Sequence, residues 1–171
     1  RVKKLVPAWS IPSALTFKSV LSKGAGQTLK PTEVSLGDIA FLQYTGGTTG
    51  VSKGAVLTHG NLLSNQEQMG YWLETAFINK KKPEVLNFVC ALLLYHIFAL
   101  TVNSLMGVAT GANNILIPNP RDIPAFVAEL AKCKPHVLPG LNTLFNAMMN
   151  NADFQKLDLS SLYLALGGGI A

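Results

Sequence analysis

The sequence predicts an α/β fold, a mostly parallel sheet with covering helices. Three observations carry this. Short apolar runs alternate with longer helix-patterned stretches in a βαβαβαβ order. Gly, Pro, Asn, Asp or Thr stands at most of the switches between them. Apolar residues make up 49% of a 171-residue chain, enough for one domain with a sizeable core. Right-handed connections are the default in such sheets, and ligands bind at the carboxyl ends of the strands.

Each element follows from local pattern. Residues 17–22 read as a short helix stopped before Gly24, and 24–31 as a loop. Residues 39–44 read as a strand and 55–57 as a second, separated by a Gly/Thr run. Thr58 is placed to cap a helix running to about Phe77, with Leu62, Leu63, Met69, Leu73 and Phe77 roughly on one face. The run Lys80-Lys81-Lys82 and Pro83 end it. Residues 85–92 form a buried strand, 98–108 a helix and 114–117 a strand. Asp122 caps a helix to Lys132, with Pro124 inside the first turn. Residues 136–138 are a short strand, 142–149 a helix and 162–166 the last strand. No repeat or low-complexity tract interrupts the series.

The most informative stretch is residues 44–55, Y-T-G-G-T-T-G-V-S-K-G-A. Glycines let a backbone approach a ligand closely. Thr hydroxyls and bare amides donate hydrogen bonds, and Lys adds a compact positive charge. These are the parts of a polyphosphate grip. A Walker loop requires G-x-x-x-x-G-K followed by Ser or Thr. Here Ser52 precedes Lys53 and Gly54 follows it, so that register fails twice. The dinucleotide pattern G-x-G-x-x-G is absent too. A plain flexible linker is a poor alternative, because a Lys and a return to apolar strand follow directly.

Residues 45–54 closely resemble the phosphate loop of the adenylate-forming (AMP-binding) enzymes, the superfamily of acyl-CoA synthetases, luciferases and peptide-synthetase adenylation domains. That loop reads Ser or Thr, a small residue, Gly-Thr-Thr-Gly, two variable positions, then Lys-Gly. Ser52 stands where many members have Pro. Three further stretches resemble the bacterial long-chain fatty acid–CoA ligases within that superfamily: Leu94-Tyr95-His96-Ile97-Phe98-Ala99-Leu100, Asn119-Pro120-Arg121-Asp122-Ile123-Pro124 and Asn142-Thr143-Leu144-Phe145-Asn146. So does Leu166-Gly167-Gly168-Gly169. Leu93 departs from the pattern, standing where the family usually has Pro. The resemblance extends from the Leu5-Val6-Pro7 region to the last residue.

The resemblance implies an acid–thiol ligase using ATP, Mg²⁺ and coenzyme A. A fatty acid carboxylate attacks the α-phosphorus of ATP, expelling pyrophosphate and leaving an acyl-adenylate. The thiol of coenzyme A then displaces AMP. Charge builds on the departing phosphates, so preorganised donors there stabilise the transition state. That work falls to Thr45, Gly46, Gly47, Thr48, Thr49, Gly50 and Lys53, with Tyr44 at the mouth of the loop. Thr48 is the residue expected to place its hydroxyl on Mg²⁺. His96 is expected to position the adenylate or thioester, without general-base work. Tyr95 is expected to pack, and Phe98 to line the acyl tunnel. Gly167, Gly168 and Gly169 are expected to face adenine. Asn142, Thr143 and Phe145 are expected to line the acyl pocket, and His59 and His136 to be structural. Tyr44, His96 and Gly167 follow strands and should rim one crevice.

Family members are several times longer. The chain begins at Arg1 and ends in a Gly-rich turn, so residues 1–171 are expected to be a fragment of the N-terminal AMP-binding domain with no C-terminal domain, inactive alone. Two other classes remain open: an adenylating enzyme for a medium-chain or aryl acid, and a phosphate-binding module without catalysis.

Net charge is +5, with clusters at Arg1-Lys3-Lys4 and Lys80-Lys81-Lys82. No aromatic residues interleave with these runs, so nucleic-acid binding is not expected. Solvated loop charge explains them, with attraction to anionic lipid or nucleotide phosphate as the functional alternative. Cys90 and Cys133 lie in apolar contexts without metal-ligand spacing, as core thiols of a reducing cytoplasm do. The apolar stretch 85–112 is broken by Asn87, His96, Thr101, Asn103 and Ser104, too often for the ~20 residues of a membrane span. No signal peptide is visible. A cytoplasmic protein follows, with peripheral contact at the inner membrane face and a homodimer as further expectations of the resemblance.

Overall fold

The computed structural model describes residues 10–44 and 52–168. The chain divides into two units, residues 1–34 and 35–171. In the first, helix α1 (Phe17–Gly24) begins where the Thr16 hydroxyl accepts the Ser19 N–H at 3.2 Å. Lys23 in its last turn complements the helix dipole.

The second unit opens with an antiparallel hairpin, β1 (Ile39–Tyr44) and β2 (Gly54–Thr58), in a register that sets Tyr44 opposite Gly54. The register brings together the two residues that flank the Gly/Thr run. Thr58 ends β2 and caps α2 (His59–Thr75). Its hydroxyl accepts the Asn61 N–H at 3.2 Å, and Asn61 Oδ1 accepts the Thr58 N–H at 3.0 Å. This is a capping box with Asn in the place of the usual Glu or Gln. The helix stops at Thr75, before the predicted Phe77, though Phe77 still packs in the core. Leu63, expected on the apolar face, is 54% exposed.

Four parallel strands follow in the order β4-β3-β5-β6: β3 (Asn87–Cys90), β4 (Asn113–Leu116), β5 (Val137–Gly140) and β6 (Leu164–Gly167). The central strands are buried on both faces, so they read as apolar runs. Period two then sorts their side chains. Phe88 and Val137 join Leu73, Phe77 and Met106 on one face, the side of α2. Val89 and Leu138 join Phe126, Leu130 and Met148 on the other, the side of α5 (Ile123–Cys133) and α6 (Asn142–Met149). Asp122 caps α5 as its sequence predicts, accepting the Ala125 N–H at 3.2 Å.

The order places a switch point at the carboxyl ends of β3 and β5, because the chain leaves β3 toward β4 and leaves β5 toward β6. The Gly140 carbonyl accepts the Gly168 N–H on the β6 side, so by strand alternation position 139 faces β3. Pro139 has no N–H to give there. The β3–β5 register is accordingly confined to Phe88 against Val137. The two strands part toward the switch point.

The predicted helix over 98–108 is a composite: α3 (Ile97–Ala99), a π-helical segment (Leu100–Leu105) and α4 (Met106–Ala109). Among the described residues no helix is long and apolar enough to cross a membrane. Lys82 pairs with Glu74, and Lys80 lies over the Tyr163 ring, so two of the three clustered lysines serve the fold.

Candidate active site

The Gly/Thr run joins the two strands of the hairpin. Thr45, Gly46, Gly47, Thr48, Thr49 and Gly50 lie outside the described residues, as does Gly169. The stems of the loop are described. Tyr44 is exposed, and its ring covers Gly54, where a methyl group would sit 3.2 Å from the Tyr44 ring. Lys53 is exposed immediately before β2.

An open crevice of about 520 Å³ lies beside this hairpin. Leu57 of β2 and Asn61, Leu62 and Asn65 of α2 form one wall. His96, Ile97, Phe98 and Thr101 form the other, and Gly168 lies at the end of β6. A turn closed by the His96 N–H on the Leu93 carbonyl, at 2.9 Å, turns the chain from β3 into α3. Leu93 therefore supports this turn without the Pro common in the resembled family. His96 caps α3: its Nδ1 accepts the Phe98 N–H at 3.3 Å. With Nδ1 engaged as acceptor, neutral His96 carries its proton on Nε2 and presents a donor. That chemistry suits orienting an oxygen-rich ligand more than taking a proton from it.

A second, apolar crevice of about 330 Å³ shares Asn65, Phe98 and Thr101 with the first. Met69, Trp72, Val102, Met106, Leu164, Leu166 and Gly167 complete it. The predicted single rim is thus two adjoining crevices: His96 and Gly168 line one, and Gly167 the other. Tyr44 lines neither. Tyr95, expected to pack, is 75% exposed. Thr143 lines a separate crevice of about 410 Å³ on the α5–α6 side, together with Arg121 and Leu144. Phe145 packs over Gly140, where a methyl group would meet its ring at 2.8 Å. Asn142 lines none of these crevices.

Sequence reasoning missed Asn61, Asn65 and Thr101, the polar groups that converge with His96. Their signal is spacing: Asn61 and Asn65 are one helical turn apart, directly after the strand that leaves the loop.

Neither thiol belongs to the site. Burial pushes the pKa of both Cys90 and Cys133 up, away from the reactive thiolate. His136 stands before β5, at the opposite end of the sheet, and burial lowers its pKa. The described residues hold no cluster of three or more His, Cys, Asp or Glu placed for a metal ion.

Comparison with known proteins adds the lineage. Residues 2–171 match the family described as AMP-binding enzyme. The chain is 51% identical over 170 residues to a long-chain-fatty-acid–CoA ligase of Haemophilus influenzae, covering 99% of this chain and 30% of that one. It therefore spans less than a third of the length of the curated relatives it matches. ATP-bound MatB from Rhodopseudomonas palustris superposes with a TM-score of 0.72 at 25% identity, over 88% of this chain and 28% of that one. A fatty acyl-adenylate ligase from L. pneumophila, in complex with acyl adenylate and pyrophosphate, gives 0.67 at 25% identity, over 82% and 25%.

Proposed function

The chain belongs to the AMP-binding enzyme family, and from that premise we propose that it is part of the N-terminal AMP-binding domain of an ATP-dependent long-chain fatty acid–CoA ligase. The reaction activates a fatty acid as its acyl-adenylate, releases pyrophosphate and forms the coenzyme A thioester. One observation carries this reading. His96 and Phe98 of one segment meet Gly168, far along the chain, in one crevice beside the hairpin whose strands flank the Gly/Thr run. The half-identical ligase relative names the reaction class.

In this reading Thr45 to Gly50 and Lys53 receive the β- and γ-phosphates, where negative charge grows as pyrophosphate departs. His96 offers its Nε2–H to the adenylate. Gly167, Gly168 and Gly169 leave room for a flat base. The apolar second crevice takes the start of the acyl chain. Mg²⁺ would be held mainly by the phosphate oxygens, with the Thr48 hydroxyl as a protein ligand. The ion would neutralise phosphate charge. A substrate that partitions into lipid fits a cytoplasmic protein working against the inner membrane face.

The test is exchange of labelled pyrophosphate into ATP, run on the full-length protein with a panel of carboxylic acids. We expect exchange that requires a long-chain acid. Thr48→Ala and Lys53→Ala should each lower it about 10²–10³-fold. Exchange that peaks with aryl acids, or that ignores both substitutions, overturns the reading.

A further inference from the structure

The segment carrying His96 and Phe98 departs from α-helical geometry at one place. Met106 N–H donates to the Thr101 carbonyl, five residues back, across the π-helical stretch Leu100–Leu105. Such turns are rare and concentrate at functional sites.

Two carboxamides from separate elements grip this stretch. Gln66 of α2 donates through Nε2 to the Thr101 carbonyl at 3.2 Å. Asn114 of β4 donates through Nδ2 to the Asn103 carbonyl at 2.9 Å. Asn103 answers with its own Nδ2, to Asn114 Oδ1 at 3.3 Å and to the Val89 carbonyl at 3.2 Å. Asn103 is fully buried. Gly107 makes the approach of Asn114 feasible: a methyl group there would sit 2.5 Å from Asn114 Nδ2. Burying a carboxamide is costly even when most of its bonds are made, and a plain apolar α-helix would avoid the cost. Both amides instead donate to carbonyls within the π stretch.

The register of that stretch decides what faces the crevices. Phe98 precedes the π turn and Met106 follows it, yet both line the apolar crevice. On a straight α-helix, eight steps of about 100° leave such residues about 80° apart. One extra residue in a wide turn makes the spacing behave as seven steps, about 20° from alignment.

We propose that Asn114 and Gln66 are positioning residues: they pin Leu100–Leu105 in its π register, which keeps Phe98 and Met106 on one wall and so sets the fit of the acyl chain. This rests on the reading that the apolar crevice receives that chain, and it deepens that reading. Neither residue lines the acyl crevice; each acts through the backbone of the segment.

The experiment has two arms. In the full-length protein, pyrophosphate exchange is measured with short-, medium- and long-chain acids for Asn114→Leu, Gln66→Met and Gly107→Ala. We expect KM for the long-chain acid to rise about tenfold while KM for ATP and kcat stay within about twofold, with the chain-length preference displaced. In the same full-length protein, amide hydrogen exchange at Met106 reads the pin directly and should accelerate about tenfold in each variant. Unchanged acid KM and unchanged Met106 protection in folded variants overturn the proposal, as does an equal loss for ATP and acid. Should Asn114→Leu not fold, Gln66→Met, at a half-buried site on another element, carries both readings. If the wild-type protein shows no acid-dependent exchange, the functional reading fails, and Met106 protection still decides whether the two carboxamides hold the turn.

Discussion

Phe98 rests with the tip of its ring against Gly168: a methyl group at Gly168 would sit 2.9 Å from Phe98 Cζ. Gly167 beside it has open space, with nothing within 4 Å of an added methyl. The two glycines therefore give different readings when replaced. Gly168→Ala must push the Phe98 ring aside. A ring tip swings easily, so stability should fall by less than about 1 kcal/mol. The wall between the crevices moves, and affinity for an acyl-adenylate analogue should weaken about tenfold by calorimetry. Gly167→Ala displaces nothing, so any affinity it loses reports a ligand lying on that strand end. Unaltered affinity in both variants would remove the glycines from the site.

Thr58 joins the hairpin to α2 and sets where Asn61 stands in the crevice wall. Thr58→Ala deletes both hydrogen bonds made by its hydroxyl, one to the Asn61 N–H and one to Asn61 Oδ1. Loss of such a cap costs about 1 kcal/mol. Urea unfolding should show that loss with an unchanged m-value, and Thr58→Ser should restore most of it.

The caps, turns and apolar runs were legible in the sequence because each depends on residues close together in the chain. Thr58 and Asp122 cap the helices predicted for them, and residues 39–44 and 142–149 form the expected elements. What escaped depends on partners far apart. The π turn at Leu100–Leu105 is held by Gln66, thirty-five residues before Thr101, and by Asn114, eleven after Asn103. A periodicity window sees an ordinary helix there, interrupted by Thr101, Asn103 and Ser104 but with nothing to mark a wide turn. The sequence predicts one crevice rimmed by Tyr44, His96 and Gly167; there are two adjoining crevices, and His96 lines one, Gly167 the other and Tyr44 neither. The division comes from Phe98, which lines both crevices and lays its ring against Gly168, a contact between residues far apart in the chain.

Cys90 and Cys133 are both free thiols, and burial raises the pKa of each. Their thiolate fraction at neutral pH is accordingly below that of an exposed cysteine. Iodoacetamide should label the folded chain slowly at both positions, Cys90 more slowly because it is the more buried. Urea should release rapid labelling of both. Rapid labelling of Cys90 in the native state would contradict the packing of β3.

His136 ties the opposite edge of the sheet together. Its Nδ1 accepts the Asn87 N–H at 2.8 Å, and the Asn87 side chain donates to the Cys133 carbonyl at 2.7 Å while Asn113 donates to Asn87 Oδ1 at 3.2 Å. A proton on Nδ1 would leave two donors facing each other. Burial holds the folded pKa below the ordinary value of about 6.5. The Tyr163 ring, with Lys80 above it, offers no negative charge to counter this. The unfolded chain therefore takes up the proton first as pH falls, and stability rises with pH through that window. The contribution of neutral His136 is complete above the unfolded value and is lost as pH drops through the depressed folded one. Urea midpoints at about pH 7.5 and 5.5 should differ more for the wild-type chain than for His136→Asn, which keeps an acceptor but cannot titrate. The comparison cancels any contribution from His59 and His96, which both proteins carry. Equal pH dependence in the two would mean that His136 takes up its proton alike in the folded and unfolded chain, and that this end of the sheet is held by Asn87 and Asn113 alone.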